Sequence, residues 1–314
     1  MLYVIVVLDG RPGHEKQTLG VVAGLRARTE VMLTSINISH GIPNRFRYGL
    51  QLLLPFLAPL KKKLQDADLV IGTGSRTHSL VLMLKKKYGI PACTCMSPSL
   101  FMRRQFDYCF VPEHDKISPA RNIFFTLGAP NPCFDRGLHQ KDQGLILLGG
   151  IDKNSHDWDC DEISEQVLAI IESDQGRFWT ISSSPRTPLT TVDKIRKQIN
   201  TGKNARFFEY SQTPPGWIEE QYDRCGMVWV TSDSISMLYE ALSSGCQVNI
   251  FPMKWLRKNC KFRKNEQLLL RKGIVSSYSA WFKQHQSGCC KSKLNEAQRC
   301  ADKILETWWP KSLL

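Results

Sequence analysis

Asp9, His14, Glu15 and Gln17 stand within DGRPGHEKQTLG at residues 9–20, directly behind the apolar run LYVIVVL. A neutral imidazole can take the proton of an attacking hydroxyl, and a carboxylate can orient that imidazole, so His14, Asp9 and Glu15 are the candidate catalytic residues. Gly10 and Gly13 permit a tight turn, Pro12 sets its direction, and His14, Glu15 and Gln17 fall on the first turn of the helix that follows. The same residue types also suit plain turn closure, with Asp9 and His14 acting as caps. A second turn, GTGSRT at 72–77, offers Gly74, Ser75 and Arg76. Small residues let an anion reach the backbone and arginine pairs with it, so these three, with Gly13 and Gln17, form a candidate acceptor or phosphate side. An ordinary strand-to-helix turn reads equally well from this pattern.

The second half carries a comparable set. Gly149 and Gly150 end an apolar run, and SSSPRTP at 182–188 ends another. A departing diphosphate can be neutralised by hydroxyls, arginine and helix N-termini, which makes Ser182, Arg186 and Thr187 donor-side candidates, with Arg186 foremost. The alternative is a Ser/Pro-rich surface loop. TSDSISM at 231–237 places Ser232, Asp233, Ser234, Ser236 and Met237 between a buried strand and an amphipathic helix, where hydroxyls can cap the helix and still leave N–H groups for phosphate. Glu240 follows Ser236 by one helical turn, so it is expected on the binding side, at a ribose or sugar hydroxyl.

The elements that must hold these residues alternate regularly. Apolar runs at 2–8, 31–38, 67–72, 92–96 and 108–111 predict strands, and helical spacing at 14–28 and 79–87 predicts the helices between them. The pattern resumes after a polar stretch at 135–144, with strands at 145–150, 178–182, 206–209, 227–231 and 248–251 and helices at 161–171, 192–199 and 236–243. Such alternation implies an α/β fold of two Rossmann-like domains with mostly parallel sheets. The expected division is 1–140 for an N-terminal acceptor or membrane-side domain, 141–294 for a nucleotide-sugar domain, and 295–314 for a final helix packing back on the N-terminal domain.

Composition narrows the function classes. The chain has 314 residues, 42% of them hydrophobic, enough for two full cores. Its net charge is +13, and residues 1–140 hold 18 Lys and Arg against 9 Asp and Glu, whereas the remainder holds 24 against 20. A basic half suggests an anionic partner. Arg45, Arg47 and Lys61 to Lys63 bracket GLQLLLPFLAPL, so residues 44–63 are expected either to meet an anionic membrane surface or to form a buried helix with a solvated lysine end. Aromatics do not interleave with these cations, which argues against a nucleic-acid partner. The opening MLYVIVVLDG lacks a basic region before its apolar run and reads as a strand, not a signal peptide, so a cytoplasmic protein, peripheral at the inner membrane face, is expected. The 11 cysteines show no zinc-finger spacing and are expected to be free, mostly buried thiols. Asp157, Asp159 and Asp161 lack calcium-loop spacing and suit a helix start, so neither a metal nor a cofactor is expected.

Taken in order, DGRPGHEKQTLG, DLVIGTGSRTH, GIPACTCMSPS, VPEHD, LILLGGIDK, SSSPRTP, VTSDSISMLYEA and KFRKNEQLLLRKGIV resemble the mitochondrial-fission family named for elongated plant mitochondria, with its bacterial relatives, over nearly the whole chain. The resemblance implies a GT-B glycosyltransferase-like fold whose two domains face across a cleft. Through it, Asp9, Gly13, His14, Glu15 and Gln17 match the N-terminal signature, and Ser232, Asp233, Ser234, Ser236, Met237 and Glu240 match the donor-side signature. Ser184 stands where many relatives carry arginine. The expected function is transfer of a sugar from a nucleotide sugar to an envelope or lipid-linked acceptor. The alternatives are a nucleotide-sugar epimerase of the same fold and a non-catalytic membrane-associated adaptor.

Overall fold

The computed structural model describes residues 1–38, 64–199, 204–258, 260–284 and 294–313. The stretch 44–63, expected either at a membrane surface or as a buried helix, lies outside the described residues. The chain divides into two compact units, Met1–Pro132 with Asn295–Leu314, and Cys133–Leu294.

Unit 1 is built on β1 (Leu2–Leu8), β2 (Val31–Asn37), β3 (Leu69–Gly72), β4 (Ala92–Cys95), β5 (Tyr108–Pro112) and β6 (Ile123–Thr126), in the spatial order β2-β1-β3-β4-β5-β6. Every pairing is parallel. The continuous apolar sequence of β1 follows from its central place, because a parallel strand covered on both faces alternates between two cores. Ile5 and Val7 pack with Leu80 to Leu84 of α2 (His78–Tyr88). Leu2, Val4 and Val6 pack with Val21, Val22 and Leu25 of α1 (Pro12–Arg26) on the other face. Pro12 starts α1 where a missing N–H costs nothing, and Gly89 ends α2 in the left-handed conformation with φ +68°. A four-residue turn, α3 (Leu100–Arg103), precedes β5.

Unit 2 holds β7 (Gln140–Leu147), a short β8 (His156–Asp157), α4 (Cys160–Ser173), β9 (Phe178–Ser182), α5 (Leu189–Ile199), β10 (Ala205–Phe208), α6 (Trp217–Arg224), β11 (Cys225–Thr231), α7 (Ile235–Ser243), β12 (Gln247–Phe251), β13 (Lys254–Trp255), α8 (Lys261–Arg271), β14 (Ser276–Ser277) and α9 (Tyr278–Gln284). Its main sheet runs β10-β9-β7-β11-β12-β14, again parallel throughout, while β8 and β13 form an antiparallel pair. Trp179, Ile181, Trp229 and Phe251 meet Val167, Ile170 and Ile195 in its core. The polar residues 140–143 are the exposed start of β7 and not a linker, so the division between units falls at Pro132/Cys133, ahead of the expected 140.

The last helix, α10 (Glu296–Trp308), belongs to unit 1 and lies on α1. A β-carbon on Gly24 would stand 2.3 Å from the Ala297 carbonyl oxygen, so the crossing needs glycine there. Asn295 caps α10 by accepting from the Gln298 N–H at 2.8 Å.

Candidate functional site

In unit 1 the strand order reverses between β1 and β3, which is where an open α/β sheet forms a crevice at its carboxyl end. Asp9 sits at that end of β1, 1% exposed, and its Oδ2 lies 2.9 Å from Nδ1 of His14, which is 18% exposed. A carboxylate only accepts, so the proton belongs on Nδ1, leaving Nε2 as the basic atom of neutral His14. Asp9 Oδ1 also accepts from the Arg11 N–H at 3.2 Å. Glu15 bends back so that its Oε1 accepts from the Gly10 N–H at 2.9 Å, which makes it a brace of the turn. Gln17 donates to the Gly13 carbonyl at 3.1 Å.

The second turn meets the first. Gly74 has φ +95°, and a β-carbon there would fall 2.2 Å from His14 Nδ1, so the imidazole packs directly against the glycine. Gly74 serves His14 before it serves any anion. Thr18 donates to Thr73 Oγ1 at 2.8 Å, tying α1 to the end of β3. Together these turns border a cavity of about 430 Å³ lined by Arg11, His14, Ser75, Arg76, His78 and Ser97 among others. His78 was not singled out by sequence. Burial, with His14 nearby, pushes its pKa down to about 4, and its ring meets Phe106 edge-on at 5.4 Å.

In unit 2 the reversal falls between β7 and β11, and it brings the donor-side candidates together. Asp233 Oδ2 accepts from the Gly150 N–H at 3.1 Å and from Arg186 Nη2 at 2.8 Å, and Arg186 Nη1 donates to the Gly150 carbonyl at 3.1 Å. Thr231 Oγ1 accepts from the Gly149 N–H at 2.7 Å. Ser184 donates to the Gly149 carbonyl at 2.6 Å, and Thr187 donates to the same oxygen. Ser182 donates to the adjoining Ser183 carbonyl at 3.3 Å. The N–H groups of both glycines are therefore spent on side chains. Close packing explains the glycines instead: a β-carbon on Gly149 would stand 2.2 Å from Asp233 Oδ1, and one on Gly150 would stand 2.1 Å from the Arg186 backbone.

Two groups at this reversal stay open. Asp233 Oδ1 is buried with no hydrogen-bond partner among the described residues. Helix α7 begins at Ser234, whose side chain makes no cap bond, whereas Asp159 caps α4 by accepting from Asp161 and Glu162 N–H at 3.1 and 3.0 Å. Ser236 and Met237 occupy that uncapped first turn, with Ser236 exposed. Glu240 is only 4% exposed and neighbours Tyr222, whose pKa is raised by burial and by that carboxylate. The face shared by Ser236 and Glu240 thus passes from solvent into the unit.

Three supporting residues went unread in the sequence. His156 Nε2 donates to the Gly150 carbonyl at 3.0 Å while its Nδ1 accepts from Ser155 Oγ at 2.7 Å, fixing its tautomer beneath the glycine loop. Glu266 accepts from Ser232, and Asn265 Oδ1 accepts from Tyr239 at 2.6 Å. The KFRKNEQ motif on α8 was the signal for the last two. Among the described residues no three His, Cys, Asp or Glu cluster to hold a metal, and no helix is long and apolar enough to cross a membrane. The nine described cysteines are free, seven of them buried.

A family model described as mitochondrial fission ELM1 matches residues 12–308. Uncharacterized protein RP120 of Rickettsia prowazekii (strain Madrid E) is 24% identical over 294 residues, covering 78% of this chain and 82% of its own. Among solved structures, the S. aureus MnaA–UDP co-structure is similar with a TM-score of 0.56 at 11% identity, over 100% of this chain and 98% of that one. Phytolacca americana UGT2, complexed with UDP-2fluoro-glucose and pterostilbene, gives 0.51 at 10% identity, over 100% and 92%. At such identities the likeness is one of fold. The fold is α/β of the GT-B glycosyltransferase type, with two parallel six-stranded sheets.

Proposed function

Because the chain belongs to the mitochondrial fission ELM1 family and has a GT-B glycosyltransferase-like fold, we propose that it transfers a sugar from a nucleotide sugar to an envelope or lipid-linked hydroxyl at the cytoplasmic membrane face. Unit 2 takes the donor. The observation that carries this is the pairing of an orphaned buried acceptor, Asp233 Oδ1, with the uncapped start of α7 at the β7/β11 reversal. An unpaired buried oxygen costs about 1–3 kcal/mol, and a sugar or ribose hydroxyl would satisfy it. The free N–H groups and dipole of α7 suit the diphosphate, with Ser234, Ser236 and Arg186 beside it and Glu240 toward the ribose.

Unit 1 supplies the base. The acceptor oxygen bonds to the anomeric carbon while the bond from that carbon to the diphosphate breaks, its electron pair leaving with the nucleoside diphosphate. The hydroxyl proton passes to His14 Nε2, and Asp9 stabilises the imidazolium that results. The UDP and UDP-2fluoro-glucose complexes of the two similar structures support a nucleotide-sugar partner. The test is thermal denaturation with UDP, GDP, ADP, CMP and their sugar conjugates. One nucleotide should stabilise by about 2.7 kcal/mol at a hundredfold excess over its Kd, and Glu240→Gln should lose most of that. A folded protein that no nucleotide stabilises would sink the reading.

The self-satisfied Gly149–Gly150 loop favours one competing reading, a non-catalytic membrane-associated adaptor that has kept the fold. It predicts no nucleotide shift and an undiminished cellular role in His14→Ala.

A further inference from the structure

The unit 1 cavity is more cationic than proton abstraction requires. Arg11 and Arg76 line it with His14 and His78, hydroxyls come from Ser75 and Ser97, and no carboxylate is among its described lining residues. Burial holds His78 uncharged, so the arginines provide the positive charge and His78 a neutral hydrogen-bonding wall. The wall continues through lining residues Ser99 and Met102, and between them α3 carries Leu100 and Phe101 at 65% and 81% exposure. Among the described residues no large apolar side chain is more exposed than Phe101.

This turn is firmly held. Arg103 Nη2 donates to Ser97 Oγ at 2.7 Å and to the Pro98 carbonyl at 3.3 Å, and Asn122 Nδ2 donates to the Arg103 and Phe106 carbonyls at 2.7 and 2.9 Å. A braced Leu-Phe pair standing in water forgoes about 1.5–3 kcal/mol of burial per side chain, next to a pocket suited to an anion and flanked by Arg103 and Arg104. Apolar residues beside cations are the composition of a surface that inserts among anionic lipids.

We propose that this cavity holds the phosphate, a monoester or diphosphate, of a lipid-linked acceptor, with Leu100 and Phe101 standing in the hydrocarbon of the membrane that carries it. The phosphate anchors the acceptor, and the attacking hydroxyl lies elsewhere on the same molecule, toward His14. This rests on the reading that unit 1 is the acceptor side.

Co-sedimentation of the full chain with phosphatidylcholine vesicles tests it. One set contains phosphatidic acid, the other phosphatidylglycerol at matched surface charge. Net charge and residues 44–63 act alike on both surfaces, so the readout is the ratio of affinities. Binding to the phosphatidic acid vesicles should be about tenfold tighter, because a monoester carries more charge and more acceptor oxygens than a diester. Arg76→Ala should bring that ratio to about one, with Arg76→Lys retaining part of it. The double variant Leu100→Ser, Phe101→Ser, exposed at both positions and so expected to melt like the parent, should weaken binding to both surfaces by about tenfold or more. A parent ratio of one overturns the phosphate assignment. Saturation by glycerol 3-phosphate alone, with the double variant unimpaired on vesicles, would identify a soluble phosphate ester and overturn the lipid. Nucleotide thermal shifts read unit 2 separately: if they are absent while the lipid ratio persists, the transferase reading and the acceptor role fall, and what stands is a lipid-phosphate site in this cavity.

Discussion

His14 joins three observations: a carboxylate at 2.9 Å, a glycine packed against its ring, and a second histidine whose pKa it helps to depress. That second residue gives a prediction independent of any substrate. The pKa of His78 is lowered from 6.5 to about 4, so between those values the unfolded chain binds a proton that the folded one refuses. Stability is then fully present above about pH 6.5 and declines as pH falls toward 4, by up to about 3 kcal/mol from this group. His78→Gln should flatten that slope, read as the difference in urea midpoint between pH 7.5 and pH 5 for the two proteins; equal slopes would mean that His78 titrates normally. Gly74→Ala should act through its neighbour, since the left-handed φ and the 2.2 Å approach both oppose a methyl group. Displacing His14 should lower transfer by about a hundredfold while donor binding stays unchanged. Sequence disclosed that Gly74 and His14 belong to turns, because glycine punctuation is local. It could not disclose that the two touch, which depends on the parallel pairing of β1 with β3.

The uncapped start of α7 sets apart two roles that a serine at this position could have. If Ser236 served only the helix, a carboxylate in its place would strengthen α7 through the helix dipole by a few tenths of a kcal/mol, about 0.3–1. Ser236→Glu should therefore melt at or slightly above the parent temperature without ligand, yet lose the nucleotide-dependent shift, because the new charge occupies the space and potential meant for diphosphate. A retained shift would move the donor away from α7. Long apolar strands such as β1 and β11 and the apolar-faced helices α1, α4 and α10 were readable because burial there is written mostly in apolar residues. Helices α6 and α8 were not. Their buried positions include Gln221, Asn265 and Glu266, so the sequence shows charge and amide where the fold has an interior, and the apolar period is lost. Strand β6, four residues after a polar loop, gave too short a run to register. Two of the residues missed at the candidate site, Asn265 and Glu266, lie on α8: Glu266 reads as part of a solvated face until Ser232 is found donating to it.

At the scale of the whole chain, both units use an open parallel sheet with one reversal of strand order, and both place their candidate residues at that reversal. They differ in how the core is closed. Unit 2 is continuous from Cys133 to Leu294, whereas unit 1 is completed only when the chain returns after residue 294 and lays α10 on α1. Cys300, Ala301, Ile304 and Leu305 are wholly buried in the core that Leu2, Val4 and Val6 also form. Removing Ile304 and Leu305 alone forfeits about 3–6 kcal/mol of burial, and a domain has only about 5–15 kcal/mol to lose. Ending the chain at residue 294 should therefore unfold unit 1 selectively: calorimetry should lose one transition, and limited proteolysis should degrade residues 1–132 while sparing a fragment spanning 133–294. Gly24→Ala tests the same contact without deletion, since its methyl group would meet the Ala297 carbonyl at 2.3 Å and force the helices apart, costing about 1–3 kcal/mol. A truncated chain that kept both transitions would show that α1 can close the core alone. The candidate base on the first turn of α1 would then owe nothing to the end of the sequence.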